Sequence, residues 1–197
     1  MKTMEPPTSN LQPPKPKFPR DRALPVAEEI LTRLKPCCER LAIAGSLRRG
    51  KAEVGDIEIL YVPKMARRPD GLFDERIVSV ADEVIEQLFE AGYFAKRQNR
   101  LGGHTWGVSN KLAIHVPNGI PVDLFSTGAE CWWVSLVVRT GGKETILRLT
   151  TGAQRQGATL NAYGPGVTWS DGTVTPATSE EHVFELCGVK YLEPIQR

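Results

Sequence analysis

The chain is 197 residues long and 41% hydrophobic, enough for one compact domain or two small subdomains on a shared core and too little for a large multidomain machine. Lys and Arg number 25 against 23 Asp and Glu, a formal charge of +2 that neither demands nor forbids a polyanionic partner. No apolar run approaches the roughly 20 residues of a membrane helix, and the N-terminus lacks the apolar core of a signal peptide, so no membrane partner is expected and the location expected is cytoplasmic, or nuclear if the source has a nucleus.

Residues 1–24 carry Pro6, Pro7, Pro13, Pro14, Pro16 and Pro19 among several Lys and Arg, with almost no apolar periodicity. This composition predicts an extended or disordered arm. From Pro25 a folded part is expected: Val26, Ala27, Ile30, Leu31 and Leu34 repeat at helical spacing behind a proline suited to a first turn. Leu41 to Ala44 reads as a short strand running into Gly45-Ser46, and Asp56 to Val62 as a longer strand, with a loop between them. Asp70 reads as the cap of a helix through about Ala91, with Phe73, Ile77, Val80, Ala81, Val84 and Leu88 on one side and Gly92 at its end.

Lys111 to Val116 and Ile120 to Phe125 are strand-like runs joined through Pro117-Asn118-Gly119, and Asn-Gly is a strong hairpin signal, so the two should be antiparallel neighbours. Glu130 to Val138 and Lys143 to Gln156 read as helices, Gly157 as a stop, and Glu180 to Cys187 as a last short helix. The four cysteines, Cys37, Cys38, Cys131 and Cys187, lack zinc-ligand spacing and read as buried free thiols of a reducing compartment.

Three acids carry chemical information. Residues two apart on a strand share a face, so Asp56 and Glu58 stand side by side while Ile57 and Ile59 enter the core. Adjacent anions are unfavourable unless neutralised, and oxygen ligands suit hard divalent cations, although taken alone the pair is a weak signal and an exposed strand face with two acids is its plainer reading. Asp123 lies in an otherwise apolar strand, where an acid needs a partner or a purpose. It would complete a three-carboxylate site if its strand neighbours the first, and such a site can hold two Mg²⁺ for a phosphoryl displacement. Gly45-Ser46-Leu47-Arg48-Arg49-Gly50 precedes Asp56 by a single loop and offers close backbone approach, a hydroxyl and two guanidinium groups for phosphate oxygens.

With these residues in view, Gly45 to Gly50 followed by Gly55-Asp56-Ile57-Glu58 resembles the Gly-Ser signature of the polymerase β nucleotidyltransferase superfamily, and specifically family X DNA polymerases. The similarity continues through Val122-Asp123-Leu124, Thr140-Gly141-Gly142, Gly157 to Tyr163 and Glu181 to Pro194, and so covers roughly residues 25–197. The resemblance implies an α+β fold: a nucleotidyltransferase palm, a mixed sheet with flanking helices, over 25–128, followed by a small α/β C-terminal nucleotide-binding subdomain over 129–197. It implies Asp56, Glu58 and Asp123 as catalytic metal ligands for two Mg²⁺ ions, with Mn²⁺ as a substitute. Gly45, Ser46, Arg49 and the amide of Gly55 would hold the triphosphate, and Arg139, Thr140, Gly141, Gly142 and Asn161 would line the nucleotide, with Tyr163 behind.

The implied activity is addition of nucleotides from a nucleoside triphosphate to the 3′ end of a DNA primer or primer-template, gapped or not, with release of pyrophosphate by a monomer, in repair or gap filling. Alternatives are a nucleotidyltransferase acting on a small molecule and a catalytically silent nucleic-acid-binding module. Several positions depart from the family pattern. Glu58 stands where Asp is usual, Val138 and Arg139 replace an aromatic pair, and Ile146 and Thr150 replace an Asn and an Arg. The lyase and helix-hairpin-helix domains usual upstream in that family are expected to be missing, since the Pro-rich arm leaves no room for them. For grip on nucleic acid the sequence offers Lys96, Arg97 and Arg100, and Lys15, Lys17, Arg20 and Arg22 in the arm.

Overall fold

The computed structural model describes residues 16–71 and 74–197. In chain order the elements are β1 (Phe18–Pro19), α1 (Arg20–Leu34), β2 (Cys38–Ile43), α2 (Gly45–Arg48), β3 (Glu53–Val54), β4 (Ile57–Pro63), β5 (Met65–Asp70), β6 (Asp74–Ser79), α3 (Val80–Glu90), β7 (Phe94–Lys96), β8 (Asn110–His115), β9 (Ile120–Ser126), α4 (Trp132–Thr140), α5 (Lys143–Arg155), β10 (Ala158–Leu160), β11 (Gly166–Trp169), β12 (Val174–Pro176) and α6 (Glu180–Leu186). Helices and a mixed sheet are combined, in keeping with the α+β expectation.

The central sheet runs β2-β4-β9-β8-β7. β4 and β9 are parallel, and every other neighbouring pair in it is antiparallel. β8 and β9 form the expected hairpin, with His115 opposite Ile120. Alternation divides β4 and β9 cleanly: Ile57, Ile59, Val122 and Leu124 are fully buried and pack with Ala23, Ala27, Ile30 and Leu34 of α1 and Ala81 and Ile85 of α3. On the opposite face Leu60, Val62 and Phe125 pack against Trp132 and Leu136 of α4. Glu58 and Asp123 share that second face by parity but precede these apolar residues, so α4 covers the face and leaves the acids at its open end.

Three local expectations are corrected. α1 starts at Arg20, and Pro25 lies inside it, where its missing N–H forfeits one helical bond. The helix persists because Ala23, Val26, Ala27, Ile30 and Leu34 form a buried stripe. Ordered structure thus includes part of the expected arm: Phe18 and Pro19 pair with Val54 and Glu53, and the Arg20 amide donates to the Ala52 carbonyl at 2.8 Å. Residues 1–15 lie outside the described residues.

The helix expected from Asp70 begins instead at Val80, capped by the Ser79 hydroxyl, which accepts from the Asp82 amide. β5 and β6 form a hairpin that pairs Met65 with Ser79 and Asp70 with Asp74. Pro69 and Gly71 oppose a helix there, and Ile77, placed on the helix's apolar side, is 70% exposed; Phe73 lies outside the described residues. Between β2 and β4 the expected loop contains α2, a single helical turn.

The C-terminal elements gather around Val134, Val137, Leu149, Ala153, Val167, Val183 and Phe184. β10-β11-β12 form an antiparallel sheet whose three- and four-residue strands are too short to show alternation in sequence. The four cysteines are free and buried, and burial raises the thiols of Cys38 and Cys187 to about 12 and about 11. Among the described residues no helix is long and apolar enough to cross a membrane.

Candidate active site

The parallel pairing of β4 with β9 sets Glu58 opposite Asp123, and Ile57 opposite Val122. Asp56 sits in the residue just before β4. The three acids are partly buried and repel one another. Burial first, then the charges of Asp56 and Asp123, raise the Glu58 carboxyl to about 7, while Arg139 and Arg49 act in the lowering direction.

Gly45 explains how Glu58 is accommodated. It takes a positive φ of 60° at the start of α2, and a Cβ there would lie 1.6 Å from Glu58 Oε2. Both conformation and space demand glycine. The adjoining Ala44 amide donates to the Glu58 carbonyl at 2.8 Å, which ties the Gly-Ser turn to the acidic strand.

The two arginines of this turn reach the end of α4. Arg49 Nη1 donates to the Thr140 carbonyl, and its Nε is buried without a hydrogen-bond partner. Arg48 Nη1 donates to Thr140 Oγ1 at 2.7 Å, and its Nη2 to Glu180 Oε1. Glu180 also faces Arg197, whose Nη2 lies 2.8 Å from Glu180 Oε2 as an ion pair outside hydrogen-bond alignment. This buried cluster, unread in the sequence, joins α2, the end of α4 and the start of α6.

Beyond Thr140 the chain turns at Gly141 and Gly142, with φ of 64° and 36°. An open cleft of about 550 Å³ lies against this turn, lined by Arg49, Glu58, Arg139, Gly141, Gly142 and Lys143, with Val138, Ile146, Leu147 and Thr150 forming its less polar side. Arg139 is engaged on two sides. Its guanidinium lies 3.7 Å from the Phe125 ring centroid, and Nη2 donates to the Tyr163 hydroxyl at 3.2 Å.

The other sequence-derived residues are placed as follows. Ser46 lies on α2, half-buried, and Gly55 leaves open space where a side chain would stand. Thr140 is fully buried and committed to Arg48 and Arg49. Asn161 is exposed and reaches the cleft only indirectly, its Oδ1 accepting from the amide of Tyr163 at 3.0 Å. The sequence offers Arg48 to phosphate oxygens, yet its guanidinium is engaged by Thr140 and Glu180; Glu180, Lys143 and the pairing of Arg97 with Asp123 carry no sequence signal. The sequence offers Arg97 to nucleic acid, yet its Nη2 donates to Asp123 Oδ1.

The fit of this donor set to a divalent cation has two sides. Three crowded acidic side chains, two of which raise the proton affinity of Glu58, are the donor type a hard cation favours and neutralises. They do not stand ready, however: among the described residues no three His, Cys, Asp or Glu side chains are grouped to hold a metal ion, and Asp123 is ion-paired with Arg97.

Residues 135–197 match the family model described as DNA polymerase beta thumb. The match begins within α4, covers about a third of the chain and includes α5, β10-β11-β12, α6 and Arg197.

Proposed function

We propose, for a family X polymerase-like protein with its thumb at residues 135–197, that this chain is a nucleotidyltransferase extending a DNA 3′ end from a nucleoside triphosphate. In this reading the five-stranded sheet and its helices are the palm, and the segment from residue 129 completes the nucleotide site. The observation that carries it is the in-register placement of Glu58 beside Asp123, with Glu58 itself lining a cleft together with Arg49, Arg139, Lys143 and the Gly141-Gly142 turn.

Asp56, Glu58 and Asp123 would hold two Mg²⁺ ions, which when bound lower the pKa of an attacking hydroxyl and steady the leaving oxygen of a phosphoryl displacement. Arg49 and Lys143 bring positive charge to the triphosphate, and the fork of Arg49 suits its oxygens bidentately. Gly141 and Gly142 present backbone without side chains, so a flat ligand can approach closely. Arg139, clamped by Phe125 and Tyr163, is a fixed donor at the edge of the cleft. DNA is the acceptor this reading favours, because the thumb match points to a polymerase relative rather than to an enzyme modifying a small molecule.

The absence of a ready three-ligand group among the described residues favours a second reading, a nucleic-acid-binding module without catalysis. An extension assay separates the two. A labelled DNA primer, offered single-stranded, templated and gapped with each nucleoside triphosphate and Mg²⁺, should lengthen on at least one substrate. Retention of DNA without extension in Mg²⁺ or Mn²⁺ would leave the silent module.

A further inference from the structure

We propose that Arg97 is a built-in counter-ion for the carboxylate row and competes with divalent cations for Asp123; this rests on reading Asp56, Glu58 and Asp123 as the cation site. Arg97 follows β7 directly, and its amide donates to the Leu112 carbonyl at 2.9 Å. Leu112 pairs with Asp123, and Asp123 pairs with Glu58. Arg97, Leu112, Asp123 and Glu58 therefore form one row across β7, β8, β9 and β4, and neighbours in such a row share a sheet face.

The Arg97–Asp123 pair is largely withdrawn from water, with side-chain exposures of 23% and 14%. Arg97 Nε is buried without a hydrogen-bond partner, so the guanidinium is not held there by a saturated set of bonds. What favours its position is charge. Three acids crowd this end of the sheet, and a positive group among them relieves repulsion that a bound cation would otherwise relieve. Other nearby cations make their direct contacts elsewhere: Lys96 lies over Phe89 and Trp106 at 4.7 and 5.0 Å, Arg139 over Phe125, and Arg49 on the Thr140 carbonyl, although the charges of Arg139 and Arg49 also act on Glu58.

A cation that binds Asp123 must displace Arg97 or share the carboxylate with it. The metal-free protein is thus self-neutralised at this site, and its affinity for free cations is lowered by the cost of separating a partly buried pair.

The test is direct Mn²⁺ binding to the full chain without nucleotide or DNA, followed by electron paramagnetic resonance. Arg97→Ala should bind Mn²⁺ roughly tenfold more tightly than wild type, and Arg97→Lys less tightly than Arg97→Ala. Arg97→Gln serves in its place if the alanine variant does not fold. Lys96→Ala removes a neighbouring positive charge that touches only aromatic rings and should change affinity far less. Equal affinity in wild type and Arg97→Ala, weaker binding by Arg97→Ala, or an equal effect from Lys96→Ala would overturn the counter-ion role alone. Undetectable Mn²⁺ binding by every variant would overturn the cation-site reading and this proposal together.

Discussion

Glu58 and Asp123 are Cα partners on adjacent parallel strands, β4 and β9. One residue further along each strand, Ile59 and Leu124 pair on the opposite, fully buried face. The same alternation that builds the core therefore sets two carboxylates side by side, and Gly45 leaves the space into which Glu58 fits.

This crowding has a pH signature in the metal-free protein. Glu58 titrates at about 7 when folded against its ordinary 4.5, so between these values the folded state holds a proton that the unfolded state releases. Stability should fall as pH rises from 4.5 to 7 and level off above, because the native state binds more protons over that interval. The loss is up to about 3 kcal/mol, less where solvent screens the site. Urea unfolding in the presence of a chelator should show this slope in wild type and a flatter one in Glu58→Gln. Identical slopes would remove Glu58 as its source.

A second expectation concerns Glu180. It is 6% exposed and faces both Arg48 and Arg197, so Glu180→Ala would strand two arginines in a buried setting. Removing one partner of a buried pair costs about 3–5 kcal/mol. Chemical denaturation should find a loss of that order, with Arg48→Ala and Glu180→Ala less than additive in the double variant. A loss below about 1 kcal/mol would show that the cluster is solvated and contributes little.

How much of this was legible in sequence depends on range. Ile57, Glu58 and Ile59 announce a half-buried strand by alternation alone, and Asn118-Gly119 announces the β8-β9 hairpin. Whether Asp123 lies beside Glu58 depends on which strands become neighbours, which no local pattern encodes. The partners of Arg97 and Arg48 are illegible for the same reason: Asp123 lies 26 residues from Arg97, and Thr140 and Glu180 lie 92 and 132 residues from Arg48. The β5-β6 hairpin is masked in sequence because apolar residues from Phe73 to Leu88 satisfy helical spacing, while Pro69 and Gly71 speak for a turn. The contacts of Arg139 with Phe125 and Tyr163 are illegible in sequence because these partners come from two other segments.

Arg49 should matter to nucleotide binding twice over. It lines the cleft, and its contact with the Thr140 carbonyl anchors the turn at Gly141-Gly142. Arg49→Ala should raise KM for the nucleoside triphosphate and lower kcat, together by roughly a hundredfold or more in kcat/KM, through lost charge and lost orientation. Steady-state kinetics with unchanged KM and kcat would exclude Arg49 from the site.

The central claim is that the carboxylates on β4 and β9 act together in cation-dependent nucleotidyl transfer, and primer extension by Asp123→Asn tests it most directly. The substitution keeps the shape of the side chain and removes its charge, and circular dichroism can establish that the protein remains folded. The account predicts that wild type extends a DNA primer with Mg²⁺ and that Asp123→Asn is slower by about a thousandfold or more, about 4 kcal/mol in the barrier. Extension by folded Asp123→Asn within tenfold of wild type would contradict it.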